Sequence, residues 1–278
     1  MVIERNYFYT VRSQDMAMKK GCILLVWLIA IVVFYETKIS NAEESITQLA
    51  HDDLYKNAMF LKEDGKSDEA INTFSKFMEV CKDELKITDA MLEQCMIMKG
   101  MKAPAWKYKA KEAQQKVKIL YRSHYLNPEY WLVYAKFAAL INRERDVYGA
   151  FKKAFFYKPD YPEGYIVKGD LYGYLAKNTD PSESTASSAI GYEDVHVSKE
   201  NSVRYNKGKV AKESYEIALK NSTLDNDRKA YIHYKIGALE MDILSNKEDA
   251  VKNWMKAAEL SPDSIYGKKS VELLSGNQ

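Results

Sequence analysis

One spacing of large and small residues recurs along this 278-residue chain and restricts its fold more than any other feature. It is clearest as Trp131, Ala135, Ala138, then nine residues on Val147, Phe151, Ala154, and finally Pro159. The same steps return as Tyr234, Ala238, Met241, Ala250, Trp254, Ala257 and Pro262. They return again as Leu54, Ala58, Leu61, Ala70, Phe74 and Phe77, without the closing proline. A fourth copy opens with Tyr165, Gly169 and Tyr172, 34 residues after Trp131, but its second half, Ala211, Tyr215 and Ala218, arrives 30 residues late.

Steps of four and three place side chains on one face of a helix. The nine-residue gap takes the chain out of that helix, round a turn and into an antiparallel second one. A small residue facing a large one lets the two axes approach closely. The proline falls just past the second helix, where its missing N–H ends the ladder. Asp64-Gly65-Lys66 and Ser245-Asn246 supply turn residues between the paired helices. Composition agrees, since 6 Pro and 12 Gly are few breakers for a chain of this length, and 21 Tyr suit helix packing.

The pattern resembles the tetratricopeptide repeat, a 34-residue helix–turn–helix unit. In the terms of that family, Trp131, Tyr165 and Tyr234 hold the large opening position of the first helix. Ala58, Ala135, Gly169 and Ala238 hold the small crossing position. Ala70, Ala211 and Ala250 open the second helix, where Val147 departs, and Ala154, Ala218 and Ala257 fill the later small position, where Phe77 departs. The resemblance implies an all-α fold, a right-handed superhelix of antiparallel helix pairs with a capping helix at the C-terminus.

Repeats are expected at about 51–84, 128–161, 162–224 and 228–262, followed by a cap over 263–275. A degenerate unit fills 88–128, with a helix from Asp89 to Lys99 closed by Gly100 and a longer one from Pro104 to Leu126. Counted back from Pro128, Ser123 and Leu120 fit a second helix, but Lys116 does not. Residues 176–208 are rich in Ser, Thr and Asn and read as an inserted loop, either a tolerated excursion or a projecting binding arm.

Ahead of the repeats, Lys19 and Lys20 precede the apolar run Gly21–Tyr35, which gives way to a polar stretch ending in Ser40-Asn41-Ala42. A charged start, a short apolar run and a small-x-small exit make a secretory signal over residues 1–42. The run is shorter than the ~20 residues of a membrane span, so cleavage after Ala42 is expected, with an uncleaved anchor as the alternative. Met16 and Met18 are alternative starts, because residues 1–17 lengthen the charged region unusually. The remainder is expected outside the cytoplasm, periplasmic or extracellular, or anchored by residues 21–35.

Beyond residue 42 the charge balances at 36 Lys/Arg and 36 Asp/Glu, with no general pull toward nucleic acid. It is unevenly spread: Glu43–Cys95 holds 13 acids and six bases, whereas Lys99–Arg122 holds eight bases and one acid. Cys81 and Cys95 have no metal or redox spacing, and their pairing is left open. Gly65-Lys66-Ser67 ends like a phosphate loop, but the required earlier glycine is Phe60. His51, His124, His196 and His233 are scattered, and no nucleophile elbow is present. No enzyme activity, metal or cofactor is implied.

In tetratricopeptide relatives ligands lie along the concave face lined by first helices. The register places Tyr55, Met59, Leu132, Lys136, Ile166, Asp170, Tyr174, Lys235 and Leu239 there. Their mixture of apolar, aromatic and isolated charged groups suits an extended peptide or an amphipathic helix. Relatives that clamp chaperone tails carry Lys and, four residues on, Asn; none of these pairs matches. The expected function is an exported scaffold for protein–protein interaction in the cell envelope. The alternatives are a membrane-tethered assembly subunit acting by self-association and, less favoured, an enzyme or small-ligand binder.

Overall fold

The computed structural model describes residues 53–180 and 202–276. The signal expected over 1–42 and the middle of the expected insertion, 181–201, lie outside them. The chain divides into two compact units, Met1–Lys56 and Asn57–Gln278, and the contacts below lie within the second.

The described residues form a series of antiparallel helix pairs. In order they are α1 (53–63), α2 (Ser67–Val80), α3 (Glu84–Gly100), α4 (Trp106–His124), α5 (Pro128–Leu140), α6 (Glu144–Tyr157), α7 (Pro162–Lys177), α8 (Val203–Leu219), α9 (Asn226–Leu239), α10 (Lys247–Leu260) and α11 (Ile265–Gly276). Odd-numbered helices up to α9 are the first of each pair. Among them α3 packs on α5 and α5 on α7, while α11 closes on α9 and α10. None of the described helices is long and apolar enough to cross a membrane.

Local chemistry sets the helix ends. Asp83 accepts from the backbone N–H groups of Leu85 and Lys86, Asn127 from Glu129, and Asp225 from Arg228. Pro128 and Pro162 stand in first turns, where no N–H is needed. Four of the turns between paired helices pass through a left-handed residue, and three of them share one closure. A residue of left-handed backbone, Gly65 (φ 76°), Lys102 (56°), Asn142 (58°) or Ser245 (54°), follows the first helix. The next residue then donates back along that helix, Lys66 to Leu61 O, Ala103 to Met98 O and Arg143 to Ala138 O, each five residues earlier.

The fourth turn differs by one residue, and this corrects the register. Asn246 donates to Glu240 O, six residues earlier, because α9 continues into a π turn over Glu240–Leu244. The extra residue moves the crossing position from Ala238 to Gly237. A Cβ on Gly237 would stand 2.5 Å from Trp254 Nε1, as one on Gly169 would stand 2.5 Å from the Tyr215 ring. Ala238 is only half-buried.

The degenerate unit also resolves into the same steps. Met91, Cys95 and Met98 form its first-helix series, with Cys95 fully buried, and Ala113, Val117 and Leu120 form its second. The gap from Met98 to Ala113 is 15 residues instead of nine, so α4 starts earlier than the motif. That extension carries Lys109, which donates to Gln94 Oε1 at 2.6 Å. Gln94 in turn donates to Ile71 O and Ser75 Oγ, tying α2, α3 and α4 through one fully satisfied amide. Lys116, the misfit of the sequence pattern, pairs with Glu84 at 2.9 Å. Cys81 and Cys95 are buried free thiols, and burial pushes the Cys95 thiol up to about 11.

The stretch read as a loop over 176–208 is helical at both described ends. α7 runs to Lys177, and α8 begins at Val203 behind Ser202, whose hydroxyl accepts from the Tyr205 N–H. Two contacts hold that first turn of α8. The Lys207 ammonium reaches Glu144 at 2.6 Å and the Thr179 hydroxyl at 2.8 Å. Gly208 lies so close to Ile243 that a Cβ would meet it at 2.7 Å.

Candidate functional site

The first helices turn a row of charged and hydroxyl groups toward one another, and these groups constitute the candidate site. On α3, Glu93 is buried with 3% of its side chain exposed. It accepts from Lys62 of α1 at 2.6 Å and from Lys136 of α5 at 2.7 Å, and Lys136 also reaches Asp89 at 2.7 Å. Burial alone would raise the Glu93 carboxyl, but the Lys136 and Lys62 ammoniums outweigh it and hold it down to about 2. Three successive first helices are thus joined by ion pairs.

A second set joins α1 to the far end of the same unit. Glu63 pairs with Lys235 of α9 at 2.7 Å, although 172 residues separate them. Lys269 of α11 donates to Glu63 O at 2.7 Å and stands 3.3 Å from Asp64. The Lys235 ammonium lies 5.4 Å from the centre of the Tyr231 ring, and Tyr231 packs edge-on to Tyr266 at 4.8 Å. Asp170 of α7 accepts from the Tyr215 hydroxyl at 2.6 Å and from the Tyr231 hydroxyl, both on one carboxylate oxygen.

The two carboxylates of this set respond differently to burial. Burial raises Asp170; Lys235 and the tyrosine hydroxyls oppose it without overcoming it, and the Glu63 charge adds to it. Burial would raise Glu63 as well, but Lys235 first and Lys62 next bring it below the usual carboxylate range. Burial and then the Asp170 charge keep the Tyr215 and Tyr231 hydroxyls protonated, so both are donors at neutral pH.

Of the residues assigned to the concave face, Leu132, Ile166 and Leu239 are buried in apolar clusters, and Lys136 is buried in its ion pairs. Asp170 and Lys235 belong to the second polar set. Met59 of α1 and Tyr174 of α7 are half-buried, and Tyr55, in the N-terminal unit, is half-buried too. The Tyr174 hydroxyl is buried with no hydrogen-bond partner among the described residues, and its ring faces the Lys99 ammonium at 6.0 Å. Lys99 itself caps α5, donating to Leu140 O at 2.7 Å and to Asn142 Oδ1 at 3.1 Å.

Sequence reasoning missed Lys62, Glu63, Asp89, Glu93, Tyr215 and Tyr231 as members of these sets. A signal for Glu93 exists once Cys95 is taken as a crossing residue. Glu93 stands two residues before Cys95, as Lys235 stands two before Gly237. Among the described residues no group of three His, Cys, Asp or Glu side chains is placed to hold a metal ion. His233 is bonded to Asn253 at 2.9 Å and His124 to Ser123 at 2.7 Å.

No family model matches this chain, and no curated protein matches it. Solved structures similar in backbone include the following two. One is TTC0263, a thermophilic TPR protein of Thermus thermophilus, at 13% identity and a TM-score of 0.45, covering 81% of this chain and 98% of that one. The other is MamA, at 14% identity and a TM-score of 0.38, covering 78% and 92%. The repeated helix-pair architecture of this chain is carried by its own residues, namely the four-and-three steps, the recurring turn closure and the small-against-large crossings at Gly169 and Gly237.

Proposed function

We propose that the protein is an exported scaffold that binds a protein partner in the cell envelope, periplasmic or extracellular, or tethered to a membrane by residues 21–35. The observation that carries this reading is the mutual pairing of polar groups on α1, α3, α5, α7 and α9. Glu93 pairs with Lys62 and Lys136, Glu63 pairs with Lys235, and Asp170 accepts from the Tyr231 hydroxyl, which ties α1 to α3, α3 to α5, α1 to α9 and α7 to α9. A face fixed in advance loses little conformational entropy when an extended peptide or a helix is laid on it. Met59 and Tyr174, half-exposed on first helices, are the proposed points of contact.

The test places a photo-crosslinking residue at Met59 or Tyr174, with exposed Met255 on α10 as control, in intact cells. One protein recovered from both inner positions and absent from Met255 supports the scaffold. Failure to recover any protein reproducibly sinks it. Recovery of a second copy of this chain, with a doubled mass in solution, assigns the protein to self-assembly instead. Leu132→Ala and Ile166→Ala are unsuitable probes, because both empty buried positions and act on folding.

A further inference from the structure

The outer surfaces of α4 and α6 carry a feature that partner binding on the inner face does not use. On α4, Tyr108, Lys111, Gln115, Ile119 and Arg122 follow one another at helical spacing, and all are exposed. On α6, Arg145, Tyr148, Lys152 and Phe156 do the same. The apolar members stand well out of the surface, Tyr108 and Phe156 at 78% exposure, Ile119 at 70% and Tyr148 at 65%. Lys111, Lys118, Arg122 and Lys152 pair with no carboxylate among the described residues. The two helices flank Trp131: Tyr121 of α4 lies 6.1 Å from its ring and the Lys153 ammonium of α6 lies 4.0 Å from it.

This combination is local. α4 has six Lys/Arg against one Glu and α6 has three against two, whereas α2 has one base against three acids and α10 has three of each. Basic side chains alternating with protruding aliphatic and aromatic ones along a helix match the interface of an anionic bilayer. Ammonium and guanidinium groups meet headgroup phosphates there, while Ile, Phe and Tyr enter the acyl boundary. A nucleic-acid surface would use the bases and could stack on the rings, but it gives Ile119 nothing to do.

We propose that the outer faces of α4 and α6 form a peripheral docking surface for anionic lipid. Tyr108, Ile119, Tyr148 and Phe156 enter the interface, and Lys111, Arg122 and Lys152 hold the headgroups. This contact is separate from any membrane insertion of residues 21–35, and the inner face stays free for a protein partner.

The test uses the full chain with Cys22→Ser, since Cys81 and Cys95 are buried. An environment-sensitive fluorophore is attached at Ile119→Cys, Phe156→Cys or, as control, Met255→Cys. The protein is then mixed with vesicles of phosphatidylcholine alone or with added phosphatidylglycerol. Blue-shifted emission and quenching by brominated acyl chains at positions 119 and 156, only with the anionic lipid and not at 255, support the proposal. Each headgroup contact contributes about fivefold in affinity, so R122E/K152E should weaken the response by more than about twentyfold, while R122K/K152R retains it. Labels that stay in water with both lipids overturn the proposal. So does an equal response with neutral lipid, a response at 255, or shielding of the labels by an oligonucleotide in place of vesicles.

Discussion

Glu93→Gln is the sharpest perturbation of the inner polar row. The carboxylate it removes is buried between two ammoniums, at 2.6 Å from Lys62 and 2.7 Å from Lys136. Glutamine offers one oxygen to one of them and points its NH2 at the other. Breaking a buried pair in this way costs about 3–5 kcal/mol. The lower end applies here, because Lys136 keeps Asp89 and Lys62 is partly exposed. The lowered Glu93 carboxyl acts in the same direction, because the Lys136 and Lys62 ammoniums favour its charged form in the folded state and so stabilise that state at neutral pH.

The pH dependence has a definite sign. The folded-state pKa lies below the unfolded one, so the contribution is complete above about pH 5 and is lost as pH falls from about 4.5 toward 2. Urea unfolding followed by circular dichroism should therefore show a gap of about 3 kcal/mol between wild type and Glu93→Gln at pH 7. The gap should be unchanged at pH 5 and shrink by pH 3. A gap below about 1 kcal/mol at pH 7, or one that widens on acidification, refutes this account of Glu93.

Other expectations follow from the same geometry. Gly169→Ala puts a methyl 2.5 Å from the Tyr215 ring and disturbs its bond to Asp170, so it should cost about 2 kcal/mol in chemical denaturation. Gly149→Ala, in α6 with nothing within 4 Å, should gain about 0.5–1 kcal/mol. Asp170→Asn keeps an acceptor for both tyrosine hydroxyls and removes a charge that burial disfavours. Its midpoint at pH 7 should equal or exceed that of wild type, and a large loss in thermal denaturation would show that the charge itself is needed. Lys102→Gly and Ser245→Gly relieve left-handed backbone and should each raise stability by about 0.5–1 kcal/mol; a decrease would place those turns elsewhere.

The helix pairs are legible in the sequence because crossing positions tolerate little. Ala58, Ala135 and Gly169 are small where a partner helix lies close, and that restriction survives in the spelling of the chain. The π turn after α9 is not legible. It adds one residue without changing residue types, so counting in fours and threes still lands on a small residue, Ala238, beside the true Gly237. The degenerate unit was obscured by a longer route from Met98 to Ala113, which defeats counting from Pro128. The joining of Glu63 to Lys235 lies further out of reach. It depends on how crossings accumulate over four helix pairs, and no local pattern encodes it. Leu132, Ile166 and Leu239, which spacing alone places on an open face, are buried in apolar clusters.

The central structural claim is that the first repeat is held against the last through α1, α9 and α11. A double-mutant cycle on Glu63→Gln and Lys235→Met, with Asp170 and Tyr231 left in place, measures it most directly. A charge-assisted, largely buried pair should give a coupling energy of about 2 kcal/mol at pH 7. Additivity within about 0.3 kcal/mol would contradict the closure of the helical array on itself.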